Sequence, residues 1–255
     1  MGHTLIMITK RTALLIDLLL LIALWFWGAA LLDQPYLPSP LEVIDTFIDE
    51  IQGRLLVHSW VSVKRVVISV LAGTLAATPL AILTAESKLL DKFISPLIYF
   101  LYPAPKIVFL PIIIYFFGLG DPSIKFLIAL IVFFQIFVIV RDTAAQVPPQ
   151  TIDSIKSLGA SRWQILRYVY LPVSLPAIMT ALKISTGTAI AVLFIAESIG
   201  NNVGLGYYIV VEQWNRFAYK KVYAGILAIS LLGLFMFLIF NLAERHLTKW
   251  QARAE

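Results

Sequence analysis

The chain has 255 residues, 60% of them hydrophobic and only 14% charged, where a soluble domain averages about 25% charged. With a mean hydropathy of +0.87, this composition excludes a soluble globular domain and describes an integral membrane protein. The net charge of +5 lies in short loops between apolar runs, a distribution set by membrane topology rather than by nucleic-acid binding.

Cysteine is absent, so neither a disulfide framework nor a thiolate metal site can form. His3, His58 and His246 are too scattered to read as a ligand set. Lys10 and Arg11 precede a first span over Ala13–Leu32, long enough to cross a bilayer and lacking a cleavage pattern. Pro35, Pro38 and Pro40 end it. Ser39, Pro40 and Glu42 then supply an N-cap, an N1 proline and an N3 carboxylate. The helix they start carries Leu41, Ile44, Phe47, Ile48 and Ile51 on one face, with Glu42, Asp45, Asp49 and Glu50 on the other. This predicts an amphipathic helix on the outer surface, lying in the interface or packed on the bundle.

A second span is predicted over Val61–Thr84, with Lys64 and Arg65 in its first turns. Two roles are open to them: snorkelling to the outer headgroups or drawing anions to a pathway mouth. A charged turn at Glu86, Lys88, Asp91 and Lys92 leads to a third span over Phe93–Phe117, interrupted at Pro103-Ala104-Pro105-Lys106 and again at Pro111. Two prolines two apart cannot lie inside one regular helix. Non-helical backbone at membrane depth is tolerated only where protein or a water-filled cavity satisfies it. Pro103, Pro105 and Lys106 are therefore candidates for a solute path, the other reading being a kink with Lys106 stretching to the inner surface.

Gly118–Ser123 forms an outer turn and Ile124–Val140 a fourth span, in which Gln135 is expected to satisfy a neighbouring helix. A polar elbow follows Arg141 and Asp142. Pro149 suits a first helical turn, and Ile152, Ile155 and Leu158 recur at a spacing of three. Gly159 falls where a left-handed C-terminal cap is needed. Ser161 with Gln164 reads as a capping box starting a second helix. Helix, glycine turn, helix and proline make an elbow suited to being gripped from outside the membrane.

Pro172 and Pro176 open a fifth span running to about Ile199. Its small residues, among them Ala181, Ser185, Gly187 and Ala189, allow close helix contact. Lys183 lies near one end, and Glu197 near the other reads either as an outer gate or as a buried structural partner. The Gly/Asn-rich turn Gly200–Tyr207 leads to an amphipathic outer segment ending at Lys221, and a sixth span covers Val222–Leu242. Lys10, Arg11, Lys88, Lys92, Arg141, Lys156, Arg162, Arg167, Arg245, Lys249 and Arg253 then gather on one side. Six spans with both termini and the elbow cytoplasmic satisfy that bias. The expected organisation is a cytoplasmic N-terminus over 1–12, one transmembrane domain over 13–247 with its elbow at 147–171, and a cytoplasmic tail over 248–255.

The elbow residues, from the helix before Gly159 through Ala160-Ser161-Arg162-Trp163-Gln164 to Leu171-Pro172 and Leu175-Pro176, resemble the cytoplasmic loop of binding-protein-dependent ABC importer permeases. That loop begins Glu-Ala-Ala in the family. Here Asp153 takes the Glu place, and Ser154 and Ile155 stand for the alanines. The Leu-Pro-Ser-Pro run before the amphipathic helix and Gly204-Leu205-Gly206-Tyr207 are similar to the nitrate/sulfonate/taurine/bicarbonate-type branch, over roughly residues 36–250. The resemblance implies an all-α fold of about six transmembrane helices of the type I importer kind. It implies a coupling helix formed by Asp153, Ser154, Ile155, Lys156, Leu158, Gly159, Ala160 and Arg162; the pathway candidates, read from the residues themselves, are Pro103, Pro105, Lys106, Lys183 and Glu197. Implied partners are a second copy of the chain, two ATPases using ATP and magnesium, an external substrate-binding protein and the lipid of the inner membrane, with no nucleic acid.

The chain itself shows no nucleophile–base motif, metal-ligand spacing or Walker-type loop, so no catalytic residue and no bound cofactor are expected. The implied cargo is a small anion such as a sulfonate, taurine, nitrate or bicarbonate, with a thiamine-precursor pyrimidine as the alternative. Two other classes stand beside this reading. An ion-gradient transporter or channel would show paired acids in mid-span, and a membrane scaffold leaves the elbow unexplained.

Overall fold

The computed structural model describes residues 2–199 and 201–249, with side chains from residue 12 onward. Gly200 and Arg253, and the side chains of Lys10 and Arg11, lie outside the described set. Every regular element among the described residues is helical. The long helices are α1 (Gly2–Leu32), α3 (Arg54–Glu86), α6 (Asp121–Ala144), α9 (Leu171–Ser198) and α10 (Tyr219–Leu247). Shorter ones are α2 (Pro40–Ile51), α4 (Lys88–Leu101), α5 (Leu110–Phe117), α7 (Pro149–Ser157) and α8 (Arg162–Ile165). Among the described residues five stretches are long and apolar enough to cross a membrane, or six if Lys88–Leu101 and Lys106–Phe117, bent by 86°, are counted as one span. This is the all-α membrane fold expected of the composition.

The core is α3 packed on α6, with α9 against α6 and α10 against α9. Helices come this close only where side chains are small, since lipid offers no hydrophobic drive to hold them together. A Cβ at Gly73 would stand 2.7 Å from the Ala129 carbonyl oxygen, so α3 and α6 meet backbone against backbone. Leu127, Ile128, Ile136, Phe137 and Leu193 fill the seam and are fully buried. By contrast α1 is exposed along its apolar length and touches the bundle near its C-terminal end. There Trp25 Nε1 donates to the Pro38 carbonyl at 3.1 Å and stacks on Tyr223.

Three expectations change. The span after the elbow does not begin at Pro172: Arg162–Ser198 is one continuous apolar stretch. A wide turn over Leu166–Tyr170, with the Leu171 N–H donating to the Leu166 carbonyl five residues back, carries the helix past the proline. The segment before Lys221 keeps one side in the bundle, with Leu205, Tyr208, Ile209, Glu212 and Gln213 buried and Trp214 and Phe217 exposed. In α2 the start is as predicted, with both halves of the Ser39–Glu42 capping box formed. Its buried side is Pro40, Val43 and Phe47, however, leaving Leu41, Ile44 and Ile48 exposed. The helix is turned so because Glu50 faces inward, accepting from Tyr208 Oη at 2.9 Å and pairing with Lys221 at 2.6 Å. Finally, Arg65 does not snorkel; it is 2% exposed.

Candidate coupling elbow and translocation path

The elbow is held by a backbone closure at the end of α7 and a reciprocal capping box at the start of α8. Pro149 occupies the first turn of α7. At the other end Gly159 has φ +85°, with its N–H on the Lys156 carbonyl at 2.9 Å and the Ala160 N–H on the Ile155 carbonyl at 3.4 Å. These two bonds are a Schellman closure, and half-buried Ile155 and Ala160 pack beneath it. One residue on, Ser161 N donates to Gln164 Oε1 at 2.7 Å while Gln164 N donates to Ser161 Oγ at 3.4 Å. Arg162 then grips Glu86 at the end of α3, at 2.5 Å. Turn and clamp together fix the angle between α7 and the long helix that follows.

What this rigid elbow offers to solvent is specific. Ile152 is buried and anchors α7. Asp153, Ser154, Lys156 and Arg162 are exposed, and Leu158, at the tip, is 87% exposed. The predicted apolar stripe therefore divides, with Ile152 inward and Leu158 outward. Beside it, Arg141 bonds Asp91 at 2.5 Å and Asp142 at 3.0 Å, and Tyr99 Oη donates to Asp142. This ties α4 to the end of α6 that feeds the elbow.

At the break in the bent span, Lys106 turns its ammonium back onto its own chain. Its Nζ donates to the carbonyls of Leu101, Tyr102 and Ala104 at 2.9, 2.5 and 3.2 Å. The ammonium thus caps the carbonyls orphaned at the α4 C-terminus, where the helix dipole favours a cation, and lies 4.5 Å from the Phe134 ring centroid. A recess of about 350 Å³ opens here, walled by Tyr102, Pro105, Lys106, Phe134, Gln135 and Thr188 among others. Pro103 lies in the same break and is exposed.

The other two candidate path residues lie elsewhere. Lys183 pairs with Glu244 of α10 at 2.6 Å. Glu197 is fully buried at the far end from the elbow, 2.8 Å from Arg65 Nη1, which makes it a structural partner in this structure. Ser62 Oγ is within 2.9 Å of both its oxygens, and the Gly206 N–H donates to it at 3.0 Å. Arg65 also bonds Asp121 and the Val203 carbonyl, each at 2.7 Å. A buried ion pair persists only with excellent geometry and its remaining donors satisfied, and here both conditions hold. Next to it His58 Nδ1 accepts from the Gly204 N–H at 3.0 Å, leaving Nε2 3.3 Å from Glu212.

This clasp was missed in the sequence, although His58, Ser62, Arg65 and Ser69 recur at helical spacing and so share one face of α3. The glycines of Gly204-Leu205-Gly206 are steric. A Cβ at Gly204 would stand 2.4 Å from the Glu197 carboxyl carbon, and one at Gly206 2.3 Å from the Phe194 carbonyl oxygen. Outside the spans, burial pushes the Tyr208 hydroxyl up, and its bond to Glu50 adds to that. Burial also works to raise Glu50, but the bonds from Lys221 and Tyr208 outweigh it and hold the carboxyl below its ordinary value. Among the described residues no cluster of carboxylates and histidines is arranged to hold a metal.

Residues 70–249 match the model of the family described as "Binding-protein-dependent transport system inner membrane component". The chain is 28% identical to the taurine transport system permease protein TauC of Escherichia coli (strain K12), over 97% of this chain and 93% of that protein. It is 29% identical to the putative aliphatic sulfonates transport permease protein SsuC of Bacillus subtilis (strain 168), over 91% and 84%. A chain of a bacterial alginate ABC transporter, solved in complex with a pentasaccharide-bound periplasmic protein, superposes with a TM-score of 0.64. The two are 19% identical, and the match covers 94% of this chain and 96% of that one, a likeness of fold.

Proposed function

The chain belongs to the binding-protein-dependent transport system inner membrane components, and from that membership we propose how this permease subunit works. It is a multi-pass inner-membrane component of an ABC importer. In our reading two copies enclose the path, each elbow seats in one of two cytoplasmic ATPases, and an external binding protein delivers the solute. Both termini and the elbow face the cytoplasm; the clasp around Arg65 and Glu197 faces outward. ATP and magnesium are used by the partner ATPase.

The observation that carries this reading is the elbow itself. A short helix with Pro149 in its first turn and a satisfied Schellman cap at its end, with Asp153, Lys156 and Leu158 directed to solvent, is rigid and presents a surface that its own chain does not cover. Closure of the ATPase pair moves such an element as a lever, and the 86° break between α4 and α5 is the place where access switches sides. The cargo is a small anion of the sulfonate or taurine kind, supported by the relatives at 28% and 29% identity and by the lone cation at the break.

The cysteine-free sequence permits a direct test. A single Leu158→Cys in the assembled complex, carrying a thiol-reactive cross-linker, is expected to capture the ATPase, while Asn202→Cys captures only externally added binding protein. Capture of the ATPase from position 202, or none from 158 in an intact complex, would refute the assignment.

A further inference from the structure

The recess at the helix break holds a group that the coupling account does not use. Gln135 is on α6, facing α9. One arm of its amide is engaged, since Nε2 donates to Thr188 Oγ1 at 3.2 Å. The other arm, Oε1, is buried without a hydrogen-bond partner. An interhelical tie needs only the first arm. A buried acceptor left open costs about 1–3 kcal/mol, and Gln135 and Thr188 both line the 350 Å³ recess.

Opposite it stands Lys106. All three bonds of its ammonium go to uncharged carbonyls, so its charge is oriented by the chain but not neutralised by it. Between these polar groups the wall is apolar, formed by Ile107, Ile131 and Val192. The recess therefore offers a cation and a short apolar stretch, with an unpaired hydrogen-bond acceptor buried in its wall.

We infer that Gln135 is a specificity-determining residue at the break, where its open amide oxygen selects solutes that carry an N–H or O–H donor beside an anionic head, as a short amino- or hydroxyalkyl sulfonate or carboxylate does. The inference rests on the reading of the broken span as the path and adds to it a reason to discriminate among anions. A simple oxyanion with acceptors only, such as nitrate, leaves Oε1 unpaired. A solute with a donor pairs it. A site built to hydrogen-bond a substrate group rejects the analogue that lacks it, because the buried partner is then left open.

The test uses the assembled permease–ATPase complex in lipid nanodiscs without binding protein, so that selection by the binding protein does not enter. The probes are 2-hydroxyethanesulfonate and ethanesulfonate, which carry the same charge and differ by one hydroxyl donor. The complex is expected to bind the hydroxy compound about tenfold more tightly, corresponding to about 1.4 kcal/mol. Gln135→Leu is expected to abolish that preference. Thr188→Val, which removes the tie and keeps the open acceptor, is expected to retain most of the preference. Equal binding of the two probes to the unmodified complex would overturn the inference, as would a Thr188→Val variant that loses the preference as completely as Gln135→Leu. Loss of both probes in Lys106→Met, with the preference unaltered in Gln135→Leu, would leave the path standing and overturn only the role of Gln135. Binding of neither probe, in a complex whose ATPase still responds to loaded binding protein, would also overturn it without touching the permease assignment.

Discussion

At the far end of the bundle, Arg65 and Glu197 direct their polar atoms onto groups of the same chain, and both are buried. At the elbow end, Asp153 and Lys156 direct theirs to solvent and Leu158 is exposed beside them, on a helix closed by a Schellman cap. The far end is stitched from within: the segment around Gly204–Gly206 is locked against α3 and α9. The elbow is made stiff but presents a surface that its own chain does not cover. On the proposed reading, in which the driving force arrives from another protein, the subunit needs this asymmetry. The end that receives force must present a shaped surface, and the end that only has to hold can complete its bonds internally.

The largest expected effect comes from opening the clasp. Arg65→Met leaves the Glu197 carboxylate buried without its counter-charge, a loss of about 3–5 kcal/mol, read as a lowered unfolding midpoint in detergent. Adding Glu197→Gln to the same chain is expected to recover part of that loss. If Arg65→Met unfolds at the unmodified midpoint, the far end is not held by this pair and the contrast between the two ends fails.

The same contrast explains what could be read in advance. The elbow was legible because its signals are local: Pro149, Gly159, and Ser161 with Gln164 each act within four residues. The broken span was legible from Pro103, Pro105 and Lys106, since two prolines two residues apart cannot both lie inside one regular helix. The clasp was not legible, because Arg65 and Glu197 are 132 residues apart, and no local rule tells an arginine near a helix start that it turns inward. For the same reason Lys106 could be placed at the break but not assigned its three carbonyls. The course of the helix through Pro172 was missed because a wide turn has no distinctive composition.

A smaller effect is expected at the elbow's own clamp. Arg162→Ala removes the bond to Glu86, but Arg162 is 62% exposed, and pairs that water reaches contribute little to stability. The unfolding midpoint is expected to stay within error, with a partial fall in ATPase stimulation because the elbow angle is less firmly set. A drop in stability comparable to that of Arg65→Met would mean that the two ends are built alike.

The smallest effect is a pH dependence between α2 and α10. Glu50 is held below its ordinary value, so its contribution is fully present above the unfolded carboxylate pKa of about 4.3. That contribution is lost as pH falls through the lower folded value. Hydrogen exchange in α2 is therefore expected to be steady from neutral pH down to about 5 and to rise below about 4, and Glu50→Gln is expected to remove the step. A step near neutral pH would implicate a different group.

The measurement that bears most directly on the elbow as the transmission element is ATP hydrolysis by the reconstituted complex, with and without loaded binding protein, in the Gly159→Val variant. A Cβ at Gly159 would meet nothing within 4 Å, so the substitution acts through its left-handed backbone alone, at a cost of about 1–2 kcal/mol. The account predicts a complex that inserts and assembles, hydrolyses ATP at its basal rate, and no longer responds to the loaded binding protein. Full stimulation in that variant would contradict it.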